Sequence, residues 1–505
     1  MKRIIAMLLC LCMVLSLLSG CQTEDPESYV PTGDALLMED EEEIYQVEDD
    51  GTQSFSLAYY PANGLNPIHC TDYTNRMIFP LVYQGLFSVN RENEVVPILC
   101  ESYTVSADQR IHSFKIRSNA TFSNGVPVTA DEVVDSLHNA WGSSFYTGRM
   151  KYFESIYAED SKTLVISTTQ AYGDISRLLD IPIVKWNEAT GLFWGSGPYV
   201  FAGTEGNYYL ARNDNWWCKS NDLQVTAQRI PLKEVHTVVE VRDSFEFDDV
   251  GVVCTDPGSD RYTEYRCDYE LWDCETGIFL YLGFNMSSPL FQHAAIRQAL
   301  VRGIDRHKLA DQFYRGFATP AELPVSPKSN YYSETLAQNY AYDEAQFLSQ
   351  MAANGVQDRS IRLLVNSEDS LRVSVAQEIA NSLNACGLIV TVDAYGGEIY
   401  KNLLASGAFD LYLAQTKLSP NMDLTSFFSA NGSLSYGIVS NINVYNLSLQ
   451  ALENEGNVYN LCKAVMDEAL ICPILFRSYA VYAARGLLTD LAPARDNVFF
   501  YTIQA

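Results

Sequence analysis

The chain has 505 residues, of which 47% are hydrophobic, 19% are charged and 12% are aromatic. This composition is typical of a globular protein, and the length exceeds what one hydrophobic core usually holds, so we expect more than one domain. Acidic residues outnumber basic ones by 62 to 34, giving a formal net charge of −28. That balance argues against nucleic acid as a partner, because phosphate binding needs a clustered excess of Lys and Arg.

The N-terminal segment has the pattern of a secretory leader. Lys2 and Arg3 precede an apolar run over 4–18, and small residues stand directly before Cys21. The run is shorter than the roughly twenty residues that a membrane-spanning helix needs, which makes a permanent transmembrane helix the weaker interpretation. The pattern resembles a bacterial lipobox, which implies that the signal peptide 1–21 is cleaved before Cys21 and that this thiol carries a lipid. The alternative is an ordinary cleaved signal with an accidental cysteine.

Residues 22–51 differ sharply in composition from the rest of the chain. They contain twelve Asp and Glu and neither Lys nor Arg. Such a segment cannot bury enough apolar surface to offset its loss of conformational entropy on folding. We therefore expect a disordered acidic tether that holds the folded body away from the membrane; an acidic metal or partner site is the alternative.

Local patterns predict the first secondary-structure elements of the body. Residues 111–116 alternate as a strand does, and Thr129 with Glu132 forms a capping box. Val133, Leu137 and Ala140 then follow at helical spacing. The sequence therefore predicts a strand and a capped helix in this region.

The second half of the body alternates predicted helices and strands. Ile296, Ala299 and Leu300 lie on one helical stripe, and Asp305 can cap the helix that follows. Further along, we predict strands at 361–365, 388–392 and 409–413 and a helix at 371–383. Short strands separated by helices predict an α/β fold with a parallel or mixed sheet.

Cysteine spacing indicates neither a zinc ribbon nor a thioredoxin-like site. Nine cysteines follow Cys21, and no C-x-x-C occurs among them. A chain of this length does not need disulfides for stability, so most of these thiols should be free and buried. A local bridge between Cys267 and Cys274 remains an alternative.

A series of short motifs runs between about Leu65 and Leu475. They lie at 65–67, 81–87, 97–103, 122–133, 195–199, 212–213, 284–285, 296–300 and 304–306. Each motif alone is weak and has a structural explanation as a turn or a helix end. Their order and spacing resemble the solute-binding proteins of bacterial peptide and nickel ABC importers, that is, family 5, the oligopeptide-binding-protein-like lipoproteins.

The resemblance implies a two-lobed periplasmic-binding-protein-like fold (type II, cluster C) with an extra subdomain in the first lobe. In that arrangement lobe I comprises 52–283 plus 480–505, with the inserted subdomain at about 97–185, and lobe II comprises 284–479. Ligand binds in the cleft and closes the lobes about a hinge.

The function implied is that of an extracytoplasmic, lipid-anchored, monomeric receptor. It captures oligopeptides between its lobes and delivers them to the permease subunits of an ABC importer. Two alternatives stay open: a receptor for a non-peptide solute such as a metal chelate, an opine or a sugar-like compound, and a ligand-sensing surface lipoprotein without transport.

The sequence departs from the family at the peptide-anchoring segment. Peptide binders commonly carry Trp-x-x-Asp after the segment that matches 409–411, and that Asp pairs with the peptide's amino terminus. Residues 414–423 contain no Trp, and their one carboxylate, Asp423, is displaced. Asp423 is therefore the candidate substitute anchor, with a solvated loop acid as the alternative, and Lys417 is a further candidate in the same segment.

Other ligand-binding candidates come from loops that match ligand-side segments of the family. Tyr73, Asn75 and Arg76 follow the 65–67 motif, and Tyr146 and Tyr152 follow the capped helix, where relatives place an aromatic ring over the ligand. For the tyrosines, packing at the surface is the alternative to ligand contact.

No catalytic, metal or cofactor site is predicted. G-x-S-x-G, S-x-x-K and H-E-x-x-H are all missing from the sequence. His69 adjoins Cys70, but neighbouring side chains on an extended segment point to opposite faces. We therefore expect a binding protein rather than an enzyme.

Overall fold

The computed structural model describes residues 53–259, 264–356 and 359–504. The predicted signal peptide 1–21, its Cys21 and the predicted tether 22–51 lie outside these residues. Within the described ranges no helix has the length and apolar character needed to cross a membrane.

The N-terminal part of the body is rich in short strands. Its strands are β1 (Leu57–Tyr59), β2 (Phe87–Val89), β3 (Val95–Pro97), β4 (Cys100–Val105), β5 (Ile111–Ile116), β6 (Phe153–Asp160), β7 (Thr163–Thr168), β8 (Lys185–Asn187), β9 (Leu192–Trp194), β10 (Tyr199–Ala202), β11 (Tyr209–Arg212), β12 (Arg229–Glu234) and β13 (Val252–Thr255). Its helices are α1 (Tyr73–Arg76), α2 (Phe79–Val82), α3 (Ala130–Trp141) and α4 (Val238–Glu246).

The remainder of the chain has more and longer helices. Its strands are β14 (Tyr269–Phe284), β15 (Ala318–Pro320), β16 (Ser360–Asn366), β17 (Ile389–Tyr395), β18 (Leu411–Lys417) and β19 (Ile471–Ala484). Its helices are α5 (Ala294–Arg302), α6 (Arg306–Tyr314), α7 (Glu334–Ala337), α8 (Glu344–Ala353), α9 (Ser370–Ala385), α10 (Gly397–Ser406), α11 (Thr425–Phe428), α12 (Ile442–Glu453) and α13 (Val458–Asp467).

The local predictions for helices and strands are confirmed. In α3, Thr129 and Glu132 form the reciprocal capping box that the sequence predicts. Asp305 caps α6 by accepting a hydrogen bond from the backbone of Lys308. The predicted stripe of the 371–383 helix is buried in α9, where Val375, Ile379 and Leu383 face the core.

One large sheet of mixed direction runs through the molecule in the order β10-β11-β12-β1-β13-β19-β14-β18-β16-β17, with β15 paired to β19. β1 is parallel to β12 and β13, and β16 is parallel to β17 and β18. A separate antiparallel sheet, β4-β5-β7-β6, packs against α3.

The two ends of the large sheet pack in two different hydrophobic cores. The first runs from Phe55 to Cys274 and is completed by residues 481–499, and the second runs from Phe279 to Phe476. We call the parts built around these cores the first lobe and the second lobe. α3 and its antiparallel sheet belong to the first lobe, and α5 to α13 belong to the second.

The long strands β14 and β19 pass from one lobe to the other side by side. Their pairing has a register shift between Glu275 and Ile278, where Thr276 and Gly277 form an irregularity with a left-handed backbone at Gly277 (φ +68°). On the first-lobe side β19 pairs with β13, and on the second-lobe side β14 pairs with β18. The irregularity therefore lies at the boundary between the two cores.

All nine body cysteines are free thiols. The alternative of a local bridge between Cys267 and Cys274 is therefore wrong for this structure. Cys274 is buried and donates to the Ala494 carbonyl, while Cys267 is half-buried.

Candidate functional site

A cavity of about 310 Å³ lies between the lobes, and we call it the interlobe cavity. Both lobes supply its walls, as expected for a ligand site that closes around its guest. Its main first-lobe residues are Thr71, Ser144, Phe145, Arg149, Lys151 and Arg495. Its main second-lobe residues are Thr416, Lys417, Leu418, Ser419, Asp423, Ser426 and Leu434.

Lys417, the last residue of β18, reaches from the second lobe into the first. Its Nζ lies 2.5 Å from Asp496 Oδ1 and donates to the Tyr73 hydroxyl at 2.8 Å. It also stands 4.4 Å above the Phe145 ring. Burial lowers the pKa of Lys417 to about 7, although the attraction of Asp496 opposes that shift.

Asp496 stays ionised in this setting. Burial favours its neutral form, but the nearby cations Lys417 and Arg495 outweigh burial and hold the pKa of Asp496 below its ordinary value. Asp496 thus supplies the negative charge that balances part of the cationic wall.

Arg495 also crosses between the lobes. Its guanidinium donates to the Leu418 carbonyl and to the Ser419 carbonyl, the latter at 3.4 Å, while its Nε is buried without a hydrogen bond. Both acceptors belong to the segment that follows β18 and lines the cavity. Arg495 therefore links the chain after β19 to the second-lobe wall of the interlobe cavity.

Lys151 and Tyr152 make contacts across the opposite side of the cavity. Lys151 Nζ donates to the Thr425 hydroxyl at 2.7 Å and to the Ser426 hydroxyl at 2.9 Å. The Tyr152 hydroxyl donates to the same Thr425 Oγ1 at 2.6 Å. These bonds join the loop after α3 to α11, so the structure holds the lobes in contact on this side.

Behind the interlobe cavity lies a smaller cavity of about 90 Å³ in the first lobe. Arg149 pairs there with Asp180, and burial lowers the pKa of Arg149 to about 10. Arg76 packs 3.4 Å above the Phe145 ring and donates to the Tyr146 hydroxyl at 2.8 Å. Two guanidiniums thus stand directly behind the Phe145 wall.

A further cavity of about 600 Å³ shares Thr71 with the interlobe cavity. Its aromatic wall includes Tyr73 and Tyr479, whose rings meet edge to face at 4.3 Å. Asp256 also lines it, and both Asp256 oxygens accept from Arg477 Nη2 at 2.7 Å. This cavity provides space beside the interlobe cavity for a ligand larger than the latter can hold.

Four of the predicted site residues line the interlobe cavity or the adjoining cavity of about 600 Å³, or bond across the lobes. Lys417 and Asp423 line the interlobe cavity, Tyr73 lines the adjoining one, and Tyr152 bonds across the lobes. Asp423 is half-buried, and its Oδ1 accepts from the Thr425 backbone at 2.7 Å. Their contact with a ligand stays a prediction.

The other three predicted residues lie behind the cavity walls. Asn75 is fully buried and bonds to the backbone of Tyr60 and Gly64 at 2.7–2.9 Å, so its side chain holds that turn. Arg76 and Tyr146 bond to each other and line the small rear cavity. We therefore assign these three residues a supporting position.

Sequence reasoning missed Phe145, Arg149, Lys151 and Arg495, which line the interlobe cavity. Two of them, Arg149 and Lys151, lie between Tyr146 and Tyr152, and Phe145 directly precedes Tyr146. From the sequence, only the tyrosines of this loop are predicted as site residues. Arg495 had no comparable signal, because it follows the last strand and reaches the site only through the fold.

Among the described residues, no group of three or more His, Cys, Asp and Glu side chains is arranged to hold a metal ion. The His69 Nε2 lies 2.8 Å from Asn139 Oδ1, while Cys70 is buried and directs its Sγ to the Asp72 carbonyl. The neighbouring His69 and Cys70 side chains therefore make separate contacts.

A family model described as bacterial extracellular solute-binding proteins, family 5 middle, matches residues 94–436. The dipeptide-binding protein DppE of Bacillus subtilis is 22% identical over 342 residues, which cover 61% of this chain and 60% of DppE. The nickel-binding protein NikA of Staphylococcus aureus is 22% identical over 388 residues, which cover 72% of this chain and 75% of NikA. The resemblance predicted from the motifs is confirmed.

Solved structures share the fold. HbpA2 from Haemophilus parasuis superposes with a TM-score of 0.74 at 17% identity, covering 89% of this chain and 100% of HbpA2. The predicted α/β two-lobed, periplasmic-binding-protein-like fold is therefore confirmed.

Proposed function

This chain belongs to family 5 of the bacterial extracellular solute-binding proteins, and we propose that it is the substrate-binding protein of an ABC importer. In this proposal it captures oligopeptides in the interlobe cavity and hands them to the permease subunits. The match to DppE, a dipeptide-binding protein, covers about 60% of that relative and supports a peptide as the solute.

The observation that carries the proposal is a cavity whose walls come from two separate cores. Arg149 and Lys151 face it from the first lobe, and Lys417 and Asp423 face it from the second. A solute held there contacts both lobes at once, so binding favours the closed form over the open form.

The hinge is proposed at the irregularity of β14 and β19. Gly277 has a backbone conformation that suits glycine, and the ladder loses its register between Glu275 and Ile278. We keep the predicted boundaries as part of the proposal: lobe I is 52–283 plus 480–505, with the inserted subdomain at about 97–185, and lobe II is 284–479. The proposed hinge lies a few residues before the 283/284 boundary, because Phe279 to Leu282 pack in the second core.

The remaining elements of the proposal concern location and partners. The protein acts outside the cytoplasm, anchored by a lipid on Cys21, with the acidic 22–51 segment as a spacer. It works as a monomer and releases its solute chemically unchanged, so it is not an enzyme.

A second candidate is a receptor for a non-peptide solute such as a metal chelate. The similarity to NikA favours it, and so does the cationic wall, because anionic chelates carry carboxylates. A bare metal ion is the weaker form of this candidate, since the described residues lack a cluster of metal-binding side chains.

Native mass spectrometry of the full-length protein, mixed with a library of short peptides and a set of metal chelates, tests the proposal. We expect peptides to be retained intact and chelates to be lost. Retention of chelates alone would favour the second candidate, and a retained solute with an altered mass would contradict the binding role altogether.

A further inference from the structure

Resting on the proposed function, we infer that the interlobe cavity binds an anionic group of its ligand, so that acidic peptides are preferred over their neutral counterparts. The observation behind this is the charge of the cavity walls. Arg149, Lys151, Lys417 and Arg495 all line the cavity, whereas Asp423 is its one lining carboxylate among the described residues.

The carboxylates behind the walls do not balance these cations. Asp180 forms an ion pair with Arg149, and Asp496 forms ion pairs with both Lys417 and Arg495. With Arg76 directly behind Phe145, five basic side chains stand against three carboxylates in and around the cavity, and four of the five remain when Lys417, whose pKa is lowered to about 7, loses its proton.

Two of the five cations have only neutral hydrogen-bond partners in the described structure. Lys151 donates to the hydroxyls of Thr425 and Ser426. Arg76 donates to the carbonyls of Pro67 and Cys70 and to the Tyr146 hydroxyl. Asp423 attracts Lys151 through space but is not its hydrogen-bond partner. A ligand carboxylate close to Lys151 would give this lysine a charged hydrogen-bond partner.

The local excess of cations does not follow from the composition of the chain. Acidic residues outnumber basic ones by 62 to 34 overall, yet four basic residues and one acidic residue line this cavity. A positive cleft in a negative molecule selects anionic ligands through Coulomb attraction, and the low dielectric of a partly enclosed site strengthens it.

The same geometry disfavours the ligand's amino terminus as the group bound here. An ammonium placed at Asp423 would approach Lys151, because that lysine is bonded to Thr425 and Ser426, immediately beyond Asp423. Lys151 therefore partly neutralises Asp423, which weakens the attraction of this carboxylate for a ligand ammonium, whereas Arg149, Lys417 and Arg495 add further positive charge to the same wall.

The test is a competition among matched peptides. The full-length protein is mixed with an equimolar set of short synthetic peptides of several lengths, which differ only in Glu, Gln or Lys at one position, and the retained peptides are identified by native mass spectrometry. We expect Glu peptides to be enriched about tenfold or more over Gln peptides, since hydrogen bonds to charged groups contribute that much.

Two single substitutions test whether the positive charge of the cavity wall causes the preference for Glu peptides. Lys151→Gln removes one cation at an exposed position and should reduce the Glu-to-Gln ratio several-fold. Lys401→Gln, on the exposed face of α10, is the matched control and should keep the wild-type ratio.

Equal retention of Glu and Gln peptides by the wild-type protein would overturn the anionic preference while leaving the peptide receptor intact. An unchanged ratio in Lys151→Gln would overturn the role given to that lysine. Retention of no peptide of any charge would contradict the proposed function itself, and the anionic preference with it.

Discussion

Lys417 in the second lobe and Asp496 in the C-terminal segment of the first form an ion pair with an Nζ–Oδ1 distance of 2.5 Å. The Asp496 side chain is 6% exposed and the Lys417 side chain 26%. The pair thus joins the two lobes at the wall of the interlobe cavity.

Replacing Lys417 with Met should destabilise the folded protein. The substitution leaves the buried Asp496 carboxylate with Arg495 as its remaining ion-pair partner, and breaking a buried pair from one side costs about 2–3 kcal/mol at a partly exposed site. Urea unfolding of the ligand-free protein measures the difference.

Lys401→Met is the control for this substitution, because Lys401 is exposed and pairs only with the exposed Glu398. It should change the free energy of unfolding very little. A Lys417→Met protein as stable as the wild type would show that the pair contributes nothing to folding.

Gly277→Ala should destabilise the protein more than a glycine substitution at an open position. Gly277 has φ +68°, and a β-carbon there would overlap the Arg495 guanidinium. Gly316 has φ +85° with open space around it, so Gly316→Ala carries the backbone cost alone, about 1 kcal/mol.

Thermal denaturation of both variants under the same conditions gives the comparison. We expect the melting temperature to fall further for Gly277→Ala than for Gly316→Ala. Equal decreases would mean that Arg495 moves away at no cost and that its contacts with the segment after β18 are weak.

His112 should make the protein sensitive to acid. It lies in β5 with 0% exposure, and burial lowers its pKa below the ordinary histidine value, although the charge of Asp174 opposes that shift. The unfolded chain therefore binds a proton more readily than the folded chain. Stability rises as the pH increases from the lowered folded-state pKa towards the unfolded value, and it is lost on acidification through that window.

Urea unfolding of His112→Leu at about pH 5 and pH 8, on either side of the ordinary histidine pKa, tests this prediction. The difference in stability between the two pH values should shrink in the variant. His307→Gln, at an exposed position of α6, is the control. An undiminished pH difference in His112→Leu would contradict the role of the buried ring.

Tyr152→Phe should weaken ligand binding while leaving the ligand-free protein as stable as before. Its hydroxyl bonds to Thr425 across the lobes, and we expect this bond to form only when the lobes meet. The Lys417–Asp496 pair differs, because Lys417 pairs with Ile278 and the Asp496 backbone donates to the Glu275 carbonyl, both at the proposed hinge. Losing a neutral hydrogen bond of about 1 kcal/mol raises Kd roughly fivefold.

Calorimetric titration with a peptide that the wild type retains measures this change in Kd. Tyr157→Phe, on the exposed face of β6, should bind like the wild type. A drop in the melting temperature of ligand-free Tyr152→Phe, with unchanged Kd, would show that the bond belongs to the fold and not to closure.

Local signals in the sequence were enough to predict much of the fold. The capping box of Thr129 and Glu132, the Asp305 cap and the stripe of α9 each depend on residues within one or two turns, where side-chain spacing determines the structure. The order of motifs then predicted the two-lobed arrangement by resemblance.

The charges of the site follow from long-range pairing that no local pattern records. Lys417 meets Asp496 although 79 positions separate them, and Arg149 meets Asp180 from the other side of the β6–β7 hairpin. The sequence therefore predicted Lys417 as a candidate without its partner.

Asn75 shows what position in a loop leaves open. Its place after the 65–67 motif predicts ligand contact, and that stays a prediction, while in the structure its amide bonds to the backbone of Tyr60 and Gly64. A polar residue in a ligand-side loop can be required for the turn itself.

Small-angle X-ray scattering of the full-length protein, titrated with peptides retained in the competition, tests the central claim that a solute is clamped between two hinged lobes. We predict that the radius of gyration decreases on binding and that Gly277→Ala alters this response more than Gly316→Ala does. A ligand that binds with high affinity while the radius of gyration stays constant would contradict the account.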